Sequence, residues 1–454
     1  MTIRIFHASS PAAAVLLAAA IDACCFTEPD RRILLLSRTG PAPEAGADVS
    51  ETAGFERLRA RFDEVLSWND AIFPFHPDGW LPRADDAPLW ERHFRRAWGL
   101  GDEELELVVD SPHAGPARAL TQVFAGVPVD VYAEGPGGYG PTGEKIPPLT
   151  GTRVRRLLHP DLVAGVRPLL LGEYGVEPQI VPAEAIMKVV GELAHEETEL
   201  SGADRPAVEL PGGEAPALLL GQDLAGAGLI PAAEEARLRL EMVRGAVALG
   251  HTRLVFAPDP YAPWESPAAL PAEADRLGVG LTVLDTPRPV AADVLLHRLR
   301  PALVVGCTSA ALFGAARFHG LPVATVGTGL LLERLTPYEN AERIPATLAD
   351  AVLPALDDAE AVAAQKPGGE AELDGLLAAV GFAMRPKVRA DLRPAAERYL
   401  SAHLDGRTWR YFKRRRLASL ALPGVVPARL AFLRSNPALR RVARRARALR
   451  GGGG

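Results

Sequence analysis

Cysteine is scarce in this chain. Three residues, Cys24, Cys25 and Cys307, in a length of 454 cannot build a disulfide framework, and none has zinc-ligand spacing. Both points fit a reducing cytoplasm. Long apolar runs are missing too. A bilayer span needs roughly 20 consecutive apolar residues, and the nearest candidate, residues 12–21, is cut by Asp22. Strand-like stretches flank that run, so it reads as the helix of a βαβ unit and not as a targeting segment. No repeat recurs at 20–50 residue spacing, which excludes solenoids. Acidic residues are absent from the C-terminal stretch: from Arg407 onward there are 14 Lys/Arg and no Asp or Glu. The net charge of −6 therefore hides an acidic body of about −20 carrying a basic tail. An acidic body argues against nucleic acid as partner, since such a protein needs a basic cleft as well.

What is present describes a large soluble protein, with 48% hydrophobic and 23% charged residues. At roughly 150 residues per domain the length implies two or three domains. Residues 2–37 read β–α–β, with Ser9, Ser10 and Pro11 offering an N-cap and a proline at the first helical position. Residues 104–110 form a strand and residues 129–132 another, and the apolar run 168–174 with a helix over 183–194 completes a first domain. The rhythm resumes at residues 217–222 with a buried strand and continues through 253–256, 280–284, 301–306 and 321–327, with helices between. Strand and helix alternating twice over predicts two doubly wound, Rossmann-like α/β domains facing across a cleft. The boundaries read as 1–200 for the first domain, 201–215 for a linker, 216–405 for the second domain and 406–454 for a basic amphipathic tail.

Candidate site residues lie where strands end. The strand at 129–132 runs into Ala133-Glu134-Gly135 and a loop crowded with glycine and proline. A carboxylate at such a mouth is either a general base or a solvated strand end. The loop at 111–118 carries His113 and Arg118, each a substrate contact or, equally, a helix cap and a surface charge. The strand ending at Gly306 leads into Thr308-Ser309 at a helix start, where the hydroxyls serve either as N-caps or as phosphate ligands. Gly221-Gln222 and Pro258-Asp259-Pro260 close two further strands.

In this order and domain placement, Glu134-Gly135, Pro258-Asp259-Pro260 and Thr308-Ser309 resemble the bacterial alpha-2,8-polysialyltransferase-like family, related to sialyltransferases of the GT-B fold. The flanking segments 111–118, 139–142 and 221–222 share the likeness, which spans roughly residues 1–400. The resemblance implies an inverting, metal-independent glycosyltransferase using a CMP-activated nonulosonic (sialic-acid-like) donor and a cell-surface glycan or polysaccharide acceptor. It makes Glu134 the general base and places Thr308, Ser309, Pro260, Gly221 and Gln222 around the donor phosphate. It leaves Gly135, His113, Arg118, Ser9 and Ser10 as acceptor or cleft residues, with no cofactor. One departure stands out. Asp259 occupies the catalytic position of the family's histidine, where a carboxylate repels phosphate unless protonated, so either Asp259 acts as a neutral acid or a nearby cation, Arg253, His251 or His297, takes its place. Two other readings fit the architecture: a nucleotide-sugar epimerase-type enzyme, and an inactive nucleotide- or glycan-binding relative.

The tail at 407–450 interleaves Trp409, Tyr411 and Phe412 with arginines. Such a segment suits an anionic lipid surface, which predicts a protein held peripherally at the inner face of the plasma membrane.

Overall fold

Short buried strands set the architecture. The computed structural model describes residues 1–40, 43–44, 46–143, 145–200, 215–259, 269–285, 288–365 and 370–424. Seven parallel strands form the first sheet: β1 Thr2–Ala8, β2 Arg31–Leu36, β3 Glu64–Ser67, β4 Glu104–Val109, β5 Val129–Tyr132, β6 Val154–Pro160 and β7 Pro178–Val181. Their order is β3-β2-β1-β4-β5-β6-β7. The second sheet has five: β8 Ala217–Leu220, β9 Arg253–Ala257, β10 Gly280–Val283, β11 Leu303–Gly306 and β12 Val323–Thr325. Their order, β10-β9-β8-β11-β12, repeats the same winding. Helices cover both faces of each sheet, so central strands such as β8 (Ala-Leu-Leu-Leu) and β11 (Leu-Val-Val-Gly) are buried along their whole length. This is the two-domain Rossmann-like architecture expected from the sequence. Among the described residues, no helix is long and apolar enough to cross a membrane.

A charged ladder lies within the first sheet, and nothing in the sequence pattern announced it. Arg4 on β1, 1% exposed, donates from Nε to Glu106 on β4 at 2.7 Å. Arg155 on β6 bridges Glu106 and the fully buried Asp130 of β5, and Arg156 Nε reaches Asp130 at 3.1 Å. Buried ions of opposite sign, each hydrogen-bonded, offset a desolvation cost that any one of them alone would leave unmet.

Three features add to or alter the sequence reading. The apolar run at 168–174, which that reading left without an assigned element, forms no strand. Leu171 adopts φ 61° and its N–H donates to Thr142 Oγ1 at 3.0 Å, tying the run to the glycine loop after β5. Strands β3, β6 and β7 had not been read from the sequence, and two of them lie at sheet edges, where the alternation of apolar residues is weak. The basic segment also begins inside the fold. Arg410 and Tyr411 Oη bind Asp350, Arg416 pairs with Glu339 at 2.6 Å, and Leu417 and Leu422 are fully buried. Residues 407–424 are thus part of the C-terminal helical layer; the rest of the expected tail, 425–454, lies outside the described residues.

The helix Glu370–Met384 carries the chain back to the first domain, where Arg389 Nη1 donates to the carbonyl of Leu169 at 2.5 Å. Asp130→Asn should weaken the hydrogen bonds of the partly exposed Arg155 and Arg156 and cost about 1–2 kcal/mol, read as an earlier first transition in urea unfolding.

Candidate active site

Each sheet reverses its strand order once, between β1 and β4 and between β8 and β11. Loops leaving neighbouring strands diverge at such a point and open a crevice at the carboxyl ends. In the first domain that crevice receives Ser9 and Ser10 from β1, Asp110 from β4 and, one strand further, Glu134 from β5.

Glu134 is held from below by Ser10, whose Oγ donates to Oε2 at 2.6 Å. The same Oγ accepts the Ala13 N–H at 3.0 Å and caps the helix Pro11–Asp22. Burial pushes the Glu134 carboxyl up from 4.5 to about 7; the Ser10 hydrogen bond opposes that rise and the charge of Asp110 adds to it. A carboxyl poised near neutrality can exchange a proton in either direction at working pH. Asp110 itself remains ionised. Burial would raise its pKa, but the histidine and the Ser111 N–H (2.7 Å) together bring it below the ordinary range. That histidine is His7, fully buried, with Nδ1 3.6 Å from Asp110 Oδ1 and Nε2 2.8 Å from Ser37 Oγ. Tyr132 Oη donates to the His7 carbonyl at 2.9 Å, and burial lifts its pKa far above the phenol range. Ser37, His7, Asp110 and Tyr132 form a polar core under the site that the sequence reading missed. Asp110 carried a signal, since it stands at a strand end just as Glu134 does.

A cavity of about 290 Å³ opens over these residues, lined by Asp110, Ser111, His113, Glu134 and the glycine loop on one side. The other side is built by Glu339, Ile344, Met384 and Arg385 of the second domain. The glycines are required by proximity. A Cβ on Gly140 would sit 2.8 Å from Ile344 Cγ1, and one on Gly143 2.7 Å from His113 Nε2. Ser9 and Arg118 do not line the cavity, and Arg118 is exposed. Arg385 and Glu339 come from sequence far beyond the motifs and had not been foreseen.

In the second domain, Gln222 after β8 and Thr308 after β11 meet across the reversal. Gln222 Oε1 accepts the N–H groups of Cys307 (3.1 Å) and Thr308 (2.9 Å), while its Nε2 donates to Thr308 Oγ1 at 3.3 Å. Ser309 Oγ caps the helix Ala310–Arg317 through Ala311 N–H at 3.3 Å. Gly221 lies against the end of β9, where a Cβ would stand 3.0 Å from the Ala257 carbonyl oxygen and 3.1 Å from Pro258 Cα. None of these residues lines the cavity, nor does Asp259; Pro260 lies outside the described residues. The two halves nevertheless touch beside Glu134: a Cβ on Gly135 would lie 3.6 Å from Ala310 Cβ, at the first turn after Thr308-Ser309. The candidate cations Arg253, His251 and His297 do not line the cavity either. His297 packs near His319, with ring centroids 6.3 Å apart, against the helix Ala183–Leu200.

Two doubly wound domains facing across a cleft form a GT-B-like architecture. A family model for alpha-2,8-polysialyltransferase (POLYST) matches residues 4–328, and the chain belongs to that family. No curated protein matches it. Among solved structures it is similar to an O-GlcNAc transferase mutant from Thermobaculum terrenum (16% identity, 92% of this chain and 67% of that one, TM-score 0.35). It is similar also to UGT2 of Phytolacca americana (12%, 92% and 98%, 0.39) and to a UDP-N-acetylglucosamine 2-epimerase (10%, 83% and 94%, 0.37). These superpositions are too loose to bear on site or substrate.

The local electrostatics give opposed pH shifts. With Glu134 as the essential base, kcat/KM should fall on the acid side below about 7. Asp110→Asn removes a like charge and should move that limb to lower pH. Ser10→Ala removes a bond to the carboxylate and should move it higher, while lost capping costs about 1 kcal/mol. Stability follows the same group. The folded carboxyl keeps its proton to about 7 and the unfolded one releases it near 4.5, so the native state binds the extra proton between those values. Its stability therefore declines as pH rises through that window. Glu134→Gln should flatten that slope in thermal melts taken from pH 4 to 8.

Proposed function

We propose that the protein transfers a nonulosonic acid from a CMP-activated donor to a hydroxyl of a glycan acceptor, with inversion and without a metal. The observation that carries this reading is the Glu134 carboxyl, held at about 7 between the two domains of a polysialyltransferase-family chain. Glu134 takes the proton of the acceptor hydroxyl. The acceptor oxygen forms a bond to the anomeric carbon as the bond from that carbon to the phosphate oxygen breaks, and CMP departs with the electron pair. Its charge is met at the start of the helix Ala310–Arg317, by the dipole and by Thr308, Ser309 and the amide of Gln222. The cell-surface glycan or polysaccharide nature of the acceptor is part of the same proposal.

One residue favours a second reading. Asp259 replaces the family's histidine, so an inactive CMP-binding relative is supported by CMP binding without donor hydrolysis. Glu134→Gln should lower transfer by about 10²–10⁴-fold, the range for loss of a general base, and leave CMP affinity unchanged. Undiminished turnover would remove Glu134 from the mechanism. A thermal-shift panel of CMP-, UDP- and GDP-sugars checks the donor: protection by UDP-sugars alone would favour an epimerase-type enzyme.

The proposal places the protein at an anionic membrane face through the basic residues beyond 424, each Lys/Arg near such a surface contributing about 1 kcal/mol. Truncation after Gly424 keeps the packed Leu417 and Leu422 and should abolish co-flotation with phosphatidylserine vesicles while sparing the melting temperature. Retained flotation would discard the anchor.

A further inference from the structure

Arg385 stands out in the interdomain cavity. It is the only Lys or Arg among the described residues lining it, and it follows directly on the helix Glu370–Met384. Its guanidinium is poorly satisfied. Nη2 donates to the Glu339 carbonyl at a long 3.3 Å, and the buried Nε has no hydrogen-bond partner. A buried donor left unpaired is costly, and native structures rarely keep one without a use.

The carboxylates around it are committed elsewhere. The side chain of Glu339 pairs with Arg416 at 2.6 Å. Asp110 accepts the Ser111 N–H and faces His7. Glu134 is held by Ser10 and lifted toward its neutral form. An arginine fork with spare donors, facing a cavity whose own acids are occupied, fits an incoming planar carboxylate that accepts two parallel N–H bonds.

We infer that Arg385 is a binding residue for the carboxylate of a sugar acid in the cavity above Glu134. The inference rests on the proposed nonulosonic-acid chemistry and deepens it. Such a sugar carries a carboxylate whether it arrives on the donor or stands at the end of an acceptor, and the cavity reads that shared group. The position lies beyond residue 328, where the family match ends, in the C-terminal helical layer that follows the helix Glu370–Met384. The second domain thereby contributes a residue to the acceptor-side cavity, and sugar binding is coupled to the closeness of the two domains.

The test uses the full chain as wild type, Arg385→Gln and Arg385→Lys, titrated calorimetrically with free N-acetylneuraminic acid, its methyl ester and CMP. Wild type should bind the acid about tenfold or more tightly than the ester, as loss of a charge-assisted bond requires. Arg385→Gln should bind the acid as weakly as wild type binds the ester, and Arg385→Lys should fall between. CMP affinity should hold within about twofold, which also reports an intact fold. No difference between acid and ester in wild type, including no binding of either, overturns the inference, as does a parallel loss of CMP binding. Kinetics of Arg385→Gln then separate the sources: a raised KM for the CMP-sugar alone assigns the donor carboxylate, and a raised KM for the glycan alone the acceptor's. Transfer with both KM values unchanged overturns the inference and leaves the proposed function standing. Acid binding that depends on Arg385, without any transfer, does the reverse.

Discussion

The site depends on removing water from one carboxyl. Glu134 ends a strand of the first domain, and by itself that strand end would be solvated. Glu134 is half-buried, and the second domain approaches beside it, with Gly135 against Ala310 and Gly140 against Ile344. Any side chain at Gly140 would force Ile344 away and reopen the crevice. The glycines at 135 and 140 thus let the two domains approach beside Glu134. Ser10 moderates the effect: one hydroxyl both starts a helix and stabilises the ionised form. Burial and Asp110 push one way, Ser10 the other, and the balance lies near neutrality.

Legibility from the sequence followed physical locality. Buried parallel strands appear as short apolar runs, so β1, β2, β8, β9 and β11 were readable, and their order follows from right-handed winding. Edge strand β3, Glu-Val-Leu-Ser, is only partly buried throughout and offers no such run. The run at 168–174 is the opposite case. Its leucines are apolar because they cover the glycine loop, with Leu170 N–H reaching the Gly138 carbonyl at 3.4 Å, and not because they pair in a sheet.

The site divides the same way. Glu134, Ser10, Thr308 and Gln222 were visible because strand ends concentrate function, and a strand end can be seen locally. Asp110 was visible by that rule but went unweighted, because its partner His7 lies 103 positions away. Arg385 and Glu339 could not be found by any local rule. They reach the cavity only because the C-terminal helices return to the first domain, a path fixed by contacts such as Arg389 with the Leu169 carbonyl. The basic stretch 407–424 misled for a related reason. Its charges resemble a solvated tail, but Arg410 finds Asp350 on the helix Arg343–Val352 and Arg416 finds Glu339 in the turn before it, which pattern alone does not place beside them.

The donor side is best understood by following its N–H groups. Cys307 and Thr308 already give theirs to Gln222 Oε1, Ala311 gives its own to Ser309 Oγ, and Leu312 to the Ser309 carbonyl. A phosphate seated at this turn would therefore meet Ser309 and Ala310 first, at the position that touches Gly135. It would gain the Cys307 and Thr308 donors only if the Gln222 amide turned away. Gln222 thus occupies the turn as an oxyanion would, keeping its donors satisfied when no anion is present. In the proposed donor site, N–H dipoles and a helix start would supply the positive end that the family resemblance gives to a histidine. A carboxylate at position 259, just past β9, is tolerable beside such a turn only where it keeps away from the phosphate or carries a proton.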